Sequence, residues 1–284
     1  MATVTSPAYH HAPRAILSIA GSDPSGGAGI QADLKTFTAI GVYGGAAITC
    51  LTAQNTLGVA CCLPLAPEFV KKQVQLVLAD LPVSHIKTGM LGTDQIAAAM
   101  AEVLHDFSGE IICDPVLAAS DGHELFRKTR DNTGLQALLR TATILTPNLP
   151  ELATLTDRVL ETPQEAVEAA CALLASLPKL RAIVLTGGHL REEAREVEDF
   201  LIPRKESGRE ILLAKHARLA TRNTHGTGCT FASAFAAYHL LYGNDQDAFF
   251  KAVDFMDTVL RQSAGLALGH GKGPLAHHLF RGKG

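Results

Sequence analysis

The stretch AILSIAGSDPSGGAGIQADLKTF (residues 15–37) joins an apolar run, a glycine-rich loop and a segment with helical periodicity. The apolar run at its start predicts a buried strand, and the periodic segment predicts a helix that ends near Ile40. Glycines at 26, 27 and 29 permit positive φ angles and a close approach to the backbone. A buried strand, a tight loop and a helix in this order form the first part of a β-α-β unit.

The same alternation of strand and helix signals runs through the rest of the chain. Strands are predicted at 46–54, 85–90, 110–114, 142–146 and 181–186, a hairpin at 196–215, and helices at 67–81, 93–105, 163–177, 227–242 and 245–268. This alternation predicts an α/β fold with a mainly parallel sheet covered by helices on both faces. Because no linker or repeat interrupts the pattern, we expect one domain over residues 14–284, preceded by a disordered tail at 1–13.

The composition disfavours nucleic-acid and membrane partners. The chain carries 25 lysines and arginines against 28 aspartates and glutamates, and it has no tryptophan, so neither a basic stripe nor a base-stacking platform is evident. No apolar stretch reaches the ~18–20 residues that span a bilayer, and the amino terminus lacks the apolar core of a signal peptide. The six cysteines form no CxxC pair, so we expect reduced thiols in a cytoplasmic protein.

The glycine-rich loop at 21–29 resembles a phosphate-binding loop only superficially. It lacks the GK[ST] ending of a Walker A loop and the spacing of the G-x-G-x-x-G dinucleotide fingerprint. Two interpretations remain open. Either a flat ligand lies against the loop, or the loop is simply a tight turn and Asp33 is a solvated helix residue.

The segment NTHGTGCTFASAFAAY (223–238) places GTG at the start of a predicted helix. Such a terminus offers unpaired N–H groups, here from Gly226 to Cys229, at the positive end of the helix dipole. This arrangement suits an anion hole for a transferring phosphoryl group. The same field is expected to lower the pKa of Cys229 from its usual ~8.5, so that the thiolate accepts a proton. Alternatively, Cys229 is a small buried residue that packs the helix start.

Polar residues follow several of the other predicted strands. Asn148 and Glu151 in TPNLPE form either a helix amino-terminal cap or a pair that holds Mg²⁺ through water. Asp114 in CDPV is a further metal candidate. Gln54 in TAQNT either binds the edge of a pyrimidine, since its amide donates and accepts at once, or is a polar strand end. Lys87 is interpreted as a solvated charge at a strand edge.

These motifs occur in one order that resembles a known family. They are IAGSDPSGGAGIQADLKTF, TAQNT, KTGMLG, DPV, TPNLPE, GGH, NTHGTGCT and GHGKGP. Across about residues 14–276, the chain is similar to the hydroxymethylpyrimidine/phosphomethylpyrimidine kinases of the ribokinase-like superfamily. The resemblance implies a three-layer α/β/α fold. It also implies ATP-dependent phosphorylation, with Mg²⁺, of 4-amino-5-hydroxymethyl-2-methylpyrimidine and then of its monophosphate, in thiamine biosynthesis.

The resemblance also assigns roles to individual residues. Substrate contacts are implied at Gly21, Asp33, Gln54, Met90 and Val116. The anion hole maps onto Gly226, Thr227 and Gly228, with Cys229 as catalytic base. ATP and phosphate contacts map onto Asn148, Thr186 and Gly188, and the metal maps onto Asp114 and Glu151. The family habit further suggests a homodimer.

Two positions depart from the family pattern. Thr186 and Ser120 stand where the family often has lysines near the phosphates. Arg191 and Lys215 are candidates to replace the missing charge, and residues 187–196 are a candidate lid. Two alternative functions stay open. One is a pyridoxal kinase on the same fold, because both substrates are aromatic heterocycles that bear a hydroxymethyl group; the other, because of the missing lysines, is a pyrimidine-binding relative without catalytic activity.

Overall fold

A computed structural model describes residues 14–118, 125–127, 132–189 and 194–281. Its strands are β1 Ala15–Ser22, β2 Tyr43–Asn55, β3 Gly58–Pro64, β4 Val83–Thr88, β5 Glu110–Cys113, β6 Ile144–Leu145, β7 Ala182–Leu185, β8 Glu196–Pro203 and β9 Leu212–Ala217. They form one sheet in the order β3-β2-β1-β4-β5-β6-β7-β8-β9. The six central strands, β2, β1, β4, β5, β6 and β7, pair in parallel. Strand β3 at one edge and strands β8 and β9 at the other pair antiparallel.

Helices cover both faces of the sheet. They are α1 Gly29–Ile40, α2 Pro67–Asp80, α3 Asp94–Leu104, α4 Thr133–Leu139, α5 Leu149–Thr156, α6 Pro163–Ser176, α7 Thr227–Tyr242 and α8 Asp245–Ser263. One apolar core contains Val74 of α2 and Met100 of α3, and the other contains Phe37 of α1 and Phe235 of α7. The predicted α/β fold, with a mainly parallel sheet between helical layers, is confirmed.

The local signals placed several helix ends correctly. The α1 helix ends at Ile40, as expected, and the Thr162 side chain caps α6 in a capping box with Glu165. The α8 helix instead ends at Ser263, five residues before the expected end. The Asn223 side-chain amide donates to the carbonyl oxygens of Ser263 and Leu266 and so terminates the helix from outside. Strand β3 was not expected.

The topology directs a ligand to one edge of the sheet. The chain leaves β1 toward β2 on one side and later returns to β4 on the other, so the strand order reverses between β1 and β4. Ligands of such sheets bind at the carboxyl ends of the strands, where the order reverses. The glycine-rich loop follows β1 at this point. Within the described ranges, no helix combines the length and apolarity that a membrane crossing requires.

A buried group of histidines lies at the opposite edge, where the parallel strands begin. Arg181 Nη2 donates to Nε2 of His239 at 3.0 Å, because a guanidinium can only donate. His239 Nδ1 lies 2.9 Å from Nε2 of His85, and Nδ1 of His85 lies 2.9 Å from the Ser84 hydroxyl. Burial, together with the nearby His239, lowers the pKa of His85 to about 4.

We expect this lowered pKa to make the protein less stable in mild acid. Unfolded His85 binds a proton near pH 6.5, whereas folded His85 does so only near pH 4. The free energy of unfolding should therefore be unaffected by His85 above pH 6.5 and fall by about 3 kcal/mol between pH 6.5 and 4. Urea denaturation across this range measures the slope. His85→Asn should make the free energy of unfolding depend less on pH, whereas His278→Asn, a control at an exposed histidine, should not. Equal slopes in the wild type and both variants would contradict the assignment of this pH dependence to His85.

Candidate active site

A cavity of about 1100 Å³ opens at the carboxyl edge of the sheet. Loops after β1, β4, β5, β6 and β7 and the start of α7 line it. Among the predicted site residues, its wall contains Gly21, Gln54, Met90, Asp114, Val116, Asn148, Glu151, Thr186, Gly188, Gly226, Thr227, Gly228 and Cys229. Only Asp33 of the predicted set is absent from this wall. The structure therefore brings together residues that lie more than two hundred positions apart in the sequence, from Gly21 to Cys229.

The prediction that Asp33 contacts the substrate is wrong, because its carboxylate is fully buried beneath the cavity. The hydroxyls of Ser18 and Ser233 donate to it at 2.6 and 2.7 Å, and Lys87 Nζ donates to Oδ1 at 3.1 Å. These bonds hold both carboxylate oxygens. Asp33 is thus neither a solvated helix residue nor placed to touch a ligand in the cavity; it fixes α1 to α7 and β4.

Lys87 is fully buried, so the interpretation of a solvated edge charge is wrong. Its Nζ lies 3.1 Å from Oδ1 of Asp33 and 3.5 Å from Oδ2 of Asp114. Burial alone lowers the pKa of this ammonium, but the negative charge of Asp33 and its neighbours outweighs burial and raises the pKa. Lys87 is therefore a fixed positive charge directly beneath the cavity floor.

The amino terminus of α7 forms part of the cavity wall. Gly226 adopts φ +82° at the helix start, and no side chain caps the first turn. A Cβ on Gly226 would overlap the carbonyl oxygen of Gly27, so only glycine fits this close approach. The first N–H groups of a helix have no partner within the helix, so the wall offers them to an anion in the cavity, except that the Thr227 N–H donates to the Thr224 carbonyl oxygen at 3.4 Å.

The Cys229 thiol departs from expectation. Burial raises its pKa to about 12, and the charges of Asp114 and Asp33 push it in the same direction. Lys87 and the Gly29 N–H lower this pKa, but they do not outweigh burial. The predicted lowering is therefore wrong, and the group is a neutral thiol at neutral pH.

The two metal candidates are carboxyl groups that resist ionisation. Burial raises the pKa of Asp114, and burial together with the charge of Asp114 raises that of Glu151 to about 8. Asp114 Oδ2 is buried and accepts no hydrogen bond, although the Lys87 ammonium lies 3.5 Å from it. Within the described part of the chain, no three His, Cys, Asp or Glu side chains group as a metal cage. Two carboxyl groups at one cavity fit a Mg²⁺ ion that completes its shell with phosphate and water oxygens.

Asn148 and Glu151 also form the predicted helix cap. The Asn148 side chain accepts from the Glu151 N–H at 2.9 Å, and Glu151 Oε2 accepts from the Asn148 N–H at 2.9 Å. The capping interpretation is thus confirmed. One carboxylate oxygen, Glu151 Oε1, is not used by the cap.

Comparison with known proteins identifies the family. Residues 23–276 match the model of the family described as phosphomethylpyrimidine kinase. The chain belongs to the phosphomethylpyrimidine kinase family. It is 41% identical over 263 residues to the hydroxymethylpyrimidine/phosphomethylpyrimidine kinase of Escherichia coli K12, which covers 92% of this chain and 96% of that protein. It is 39% identical over 266 residues to a chloroplastic bifunctional enzyme of thiamine biosynthesis from Arabidopsis thaliana, covering 92% of this chain and 49% of that protein.

A solved structure agrees with this family assignment. The pyridoxal kinase of Staphylococcus aureus in complex with AMP-PCP and pyridoxal has a TM-score of 0.80 and 29% identity, covering 94% of each chain. The fold of this phosphomethylpyrimidine kinase family member is accordingly ribokinase-like. Its family membership makes the chain a phosphotransferase.

Of the two cations that the sequence suggested for the cavity of the kinase, Arg191 and Lys215, the structure describes only Lys215. Lys215 lies 2.7 Å from Glu198 and is not part of the cavity wall. Arg218 and Lys272 are on the wall instead, and Arg218 donates to the carbonyl oxygen of Gly188 at 3.1 Å. Ser120, Arg191 and the middle of the candidate lid lie outside the described residues.

Sequence reasoning also missed Asp23 and His225, although both lie in quoted motifs. They line the cavity of the kinase, and His225 Nε2 lies 2.8 Å from Asp23 Oδ2. The one sequence feature that could have indicated this pair was the position of His225 directly before GTGC, at the start of the helix. Nothing local in the sequence paired it with an aspartate two hundred residues earlier.

Proposed function

We propose that this kinase transfers the γ-phosphoryl group of ATP to 4-amino-5-hydroxymethyl-2-methylpyrimidine, and then phosphorylates the monophosphate to the diphosphate, in thiamine biosynthesis. One observation carries the proposal. The uncapped start of α7, suited to a phosphoryl group, shares a cavity with Gln54 and Met90, which suit a pyrimidine ring. Sequence identity to enzymes of thiamine biosynthesis supports the choice of substrate.

The pyrimidine end of the cavity is shaped by close packing. A Cβ on Gly21 would lie 2.9 Å from Sδ of Met90, so glycine leaves room for Met90 to pack against the ring. Gln54 on β2 offers an amide to the aminopyrimidine edge. Val116 closes the same end. Asp33 contributes from beneath, by holding Lys87, rather than by touching the ring.

Asp114 and Glu151 would hold Mg²⁺ at the phosphate end. The bound ion supplies positive charge that neutralises the ATP phosphates. Asn148, Thr186 and Gly188 line the same end, next to the backbone that Arg218 fixes. These residues align the γ-phosphate with the hydroxymethyl oxygen.

Cys229 is the candidate acceptor of the hydroxyl proton. Since its thiol is neutral at neutral pH, it acts as a base only after losing its own proton. Phosphoryl transfer passes through a loose transition state, in which positioning and charge stabilisation matter most. We therefore assign the larger part of catalysis to the N–H groups of residues 226–229 and the smaller part to the Cys229 sulfur.

The kinase domain over 14–284 would work as a cytoplasmic homodimer, in keeping with the family habit.

Product analysis tests the proposal. The purified kinase is incubated with ATP, Mg²⁺ and the hydroxymethylpyrimidine, and the products are separated by phosphate count. We expect the monophosphate first and the diphosphate later, with a smaller loss for Cys229→Ala than for a variant of the anion hole. Pyridoxal, which the S. aureus neighbour binds, is the competing substrate. Faster turnover of pyridoxal would favour the pyridoxal kinase alternative, and no ADP with either alcohol would favour a non-catalytic binder.

A further inference from the structure

Two glycine-rich loops interlock at the cavity. One is residues 23–28, after β1, and the other is residues 223–229, which leads into α7. A Cβ on Gly27 would overlap the His225 ring, just as one on Gly226 would overlap the carbonyl oxygen of Gly27. The backbones of Gly27 and Gly226 therefore touch, and the His225 ring fills the space beside Gly27.

The carboxylate of Asp23 is the centre of this junction. Its Oδ1 accepts from the N–H and the hydroxyl of Ser25, at 2.8 and 2.7 Å. Its Oδ2 accepts from the N–H groups of Gly27 and Ala28, at 3.1 and 2.8 Å, and faces His225 Nε2 at 2.8 Å. Burial favours the neutral acid, but the hydrogen bonds from His225, Ser25 and Ala28 outweigh it and lower the pKa of Asp23 to about 2.

This lowered pKa fixes the state of the histidine. Ionised Asp23 can only accept hydrogen bonds, so the proton of the contact belongs to Nε2 of His225. The Gln54 amide nitrogen lies 3.3 Å from the same ring nitrogen, and since both groups are donors this is a packing contact and not a hydrogen bond. The backbone N–H of His225 donates to the Gly273 carbonyl oxygen at 3.1 Å, and the residue that follows His225 is Gly226. The imidazole thus contacts the glycine-rich loop and the ring-binding strand, and the His225 backbone leads directly into the start of the anion hole.

We propose that His225, anchored by Asp23, is a positioning residue that holds the anion hole at a fixed distance from the pyrimidine pocket. The inference rests on the proposed function, because it assigns the two ends of the cavity to the two reacting groups. Transfer requires the hydroxymethyl oxygen and the γ-phosphate to meet in line. A shift of about 1 Å between the two loops is enough to cost on the order of 10²-fold in rate.

The test compares substitutions of His225 whose polar nitrogen lies at different distances from the backbone. Glutamine places its amide nitrogen near the position of Nε2, whereas asparagine reaches only as far as Nδ1. His225→Ala and His225→Asn should lower kcat by about 10²-fold with little change in either KM, and His225→Gln should recover most of the loss. Lys35→Met is the matched control: Lys35 donates to the Gly26 carbonyl oxygen at 2.6 Å on the outer, exposed side of the same loop. This variant should keep the wild-type kcat.

Deuterium uptake gives a readout that needs no turnover. In His225→Asn, peptides covering 23–28 and 223–229 should exchange faster together, and in His225→Gln both should stay protected. A kcat near wild type in His225→Asn, an equal loss in His225→Gln, or exchange that rises in one loop alone would overturn the proposal. A wild-type kinase that exchanges as expected but leaves the pyrimidine unphosphorylated would refute the proposed function and leave the junction standing.

Discussion

Gly226→Ala is expected to lower kcat for phosphoryl transfer by about 10²–10³-fold, the loss typical of removing one oxyanion-hole donor. The added Cβ would overlap the Gly27 carbonyl oxygen, and φ at this position is +82°. The backbone can relieve the overlap only by moving the first turn of α7 away from the glycine-rich loop. Steady-state kinetics with ATP and the hydroxymethylpyrimidine measure the loss.

The other end of α7 offers a control for backbone strain. Gly243 adopts φ +73°, but a Cβ there would meet no atom within 4 Å. Gly243→Ala should therefore cost about 1 kcal/mol of stability, as a left-handed alanine does, and leave kcat unchanged. If both variants keep wild-type kcat, the start of α7 is not the phosphoryl site.

Lys87→Met is expected to destabilise the protein by about 3–5 kcal/mol, as the loss of one partner from a buried ion pair does. The variant leaves Asp33 and Asp114 buried without their cation. The two serine hydroxyls stabilise Asp33 only in part, since hydroxyls do not neutralise its charge. Urea denaturation at neutral pH measures the change in the free energy of unfolding.

Two comparisons make this result specific. Lys71→Met removes an ion pair of similar length, Lys71 to Glu102 at 2.7 Å, but at the surface, so it should have little effect on stability. The double variant Asp33→Asn/Lys87→Met removes the stranded charge together with the cation and should be more stable than Lys87→Met alone. A double variant less stable than the single one would show that charge pairing is not what Lys87 provides.

Short-range chemistry made most of the fold predictable. The TPQE cap at 162–165 and the glycines after β1 act through hydrogen bonds and backbone angles within a few residues, and both were placed correctly. The motif order also predicted which residues share the cavity. It did so because parallel strands end at the same edge of a sheet, whatever their separation in sequence.

The errors arose where the outcome depends on distant parts of the chain. Asp33 lies early in α1, and whether that helix face meets solvent or Ser233 of α7 is decided by packing. The field at a helix start is local and predicted a lowered pKa for Cys229, but burial by distant residues raises this pKa. Lys87 was misjudged for the same reason, since its two acidic partners come from α1 and the end of β5.

The bonds from Asp33 to Ser233 and from Asp23 to His225 span 200 and 202 residues. Contacts so distant in sequence raise the contact order, which slows folding, and they form only after most of the chain has emerged from the ribosome. Until this part of the chain is synthesised, Asp23 lacks His225, and Asp33 has the Ser18 hydroxyl but not that of Ser233. Both bonds therefore form late, and a chain truncated before residue 223 would lack both.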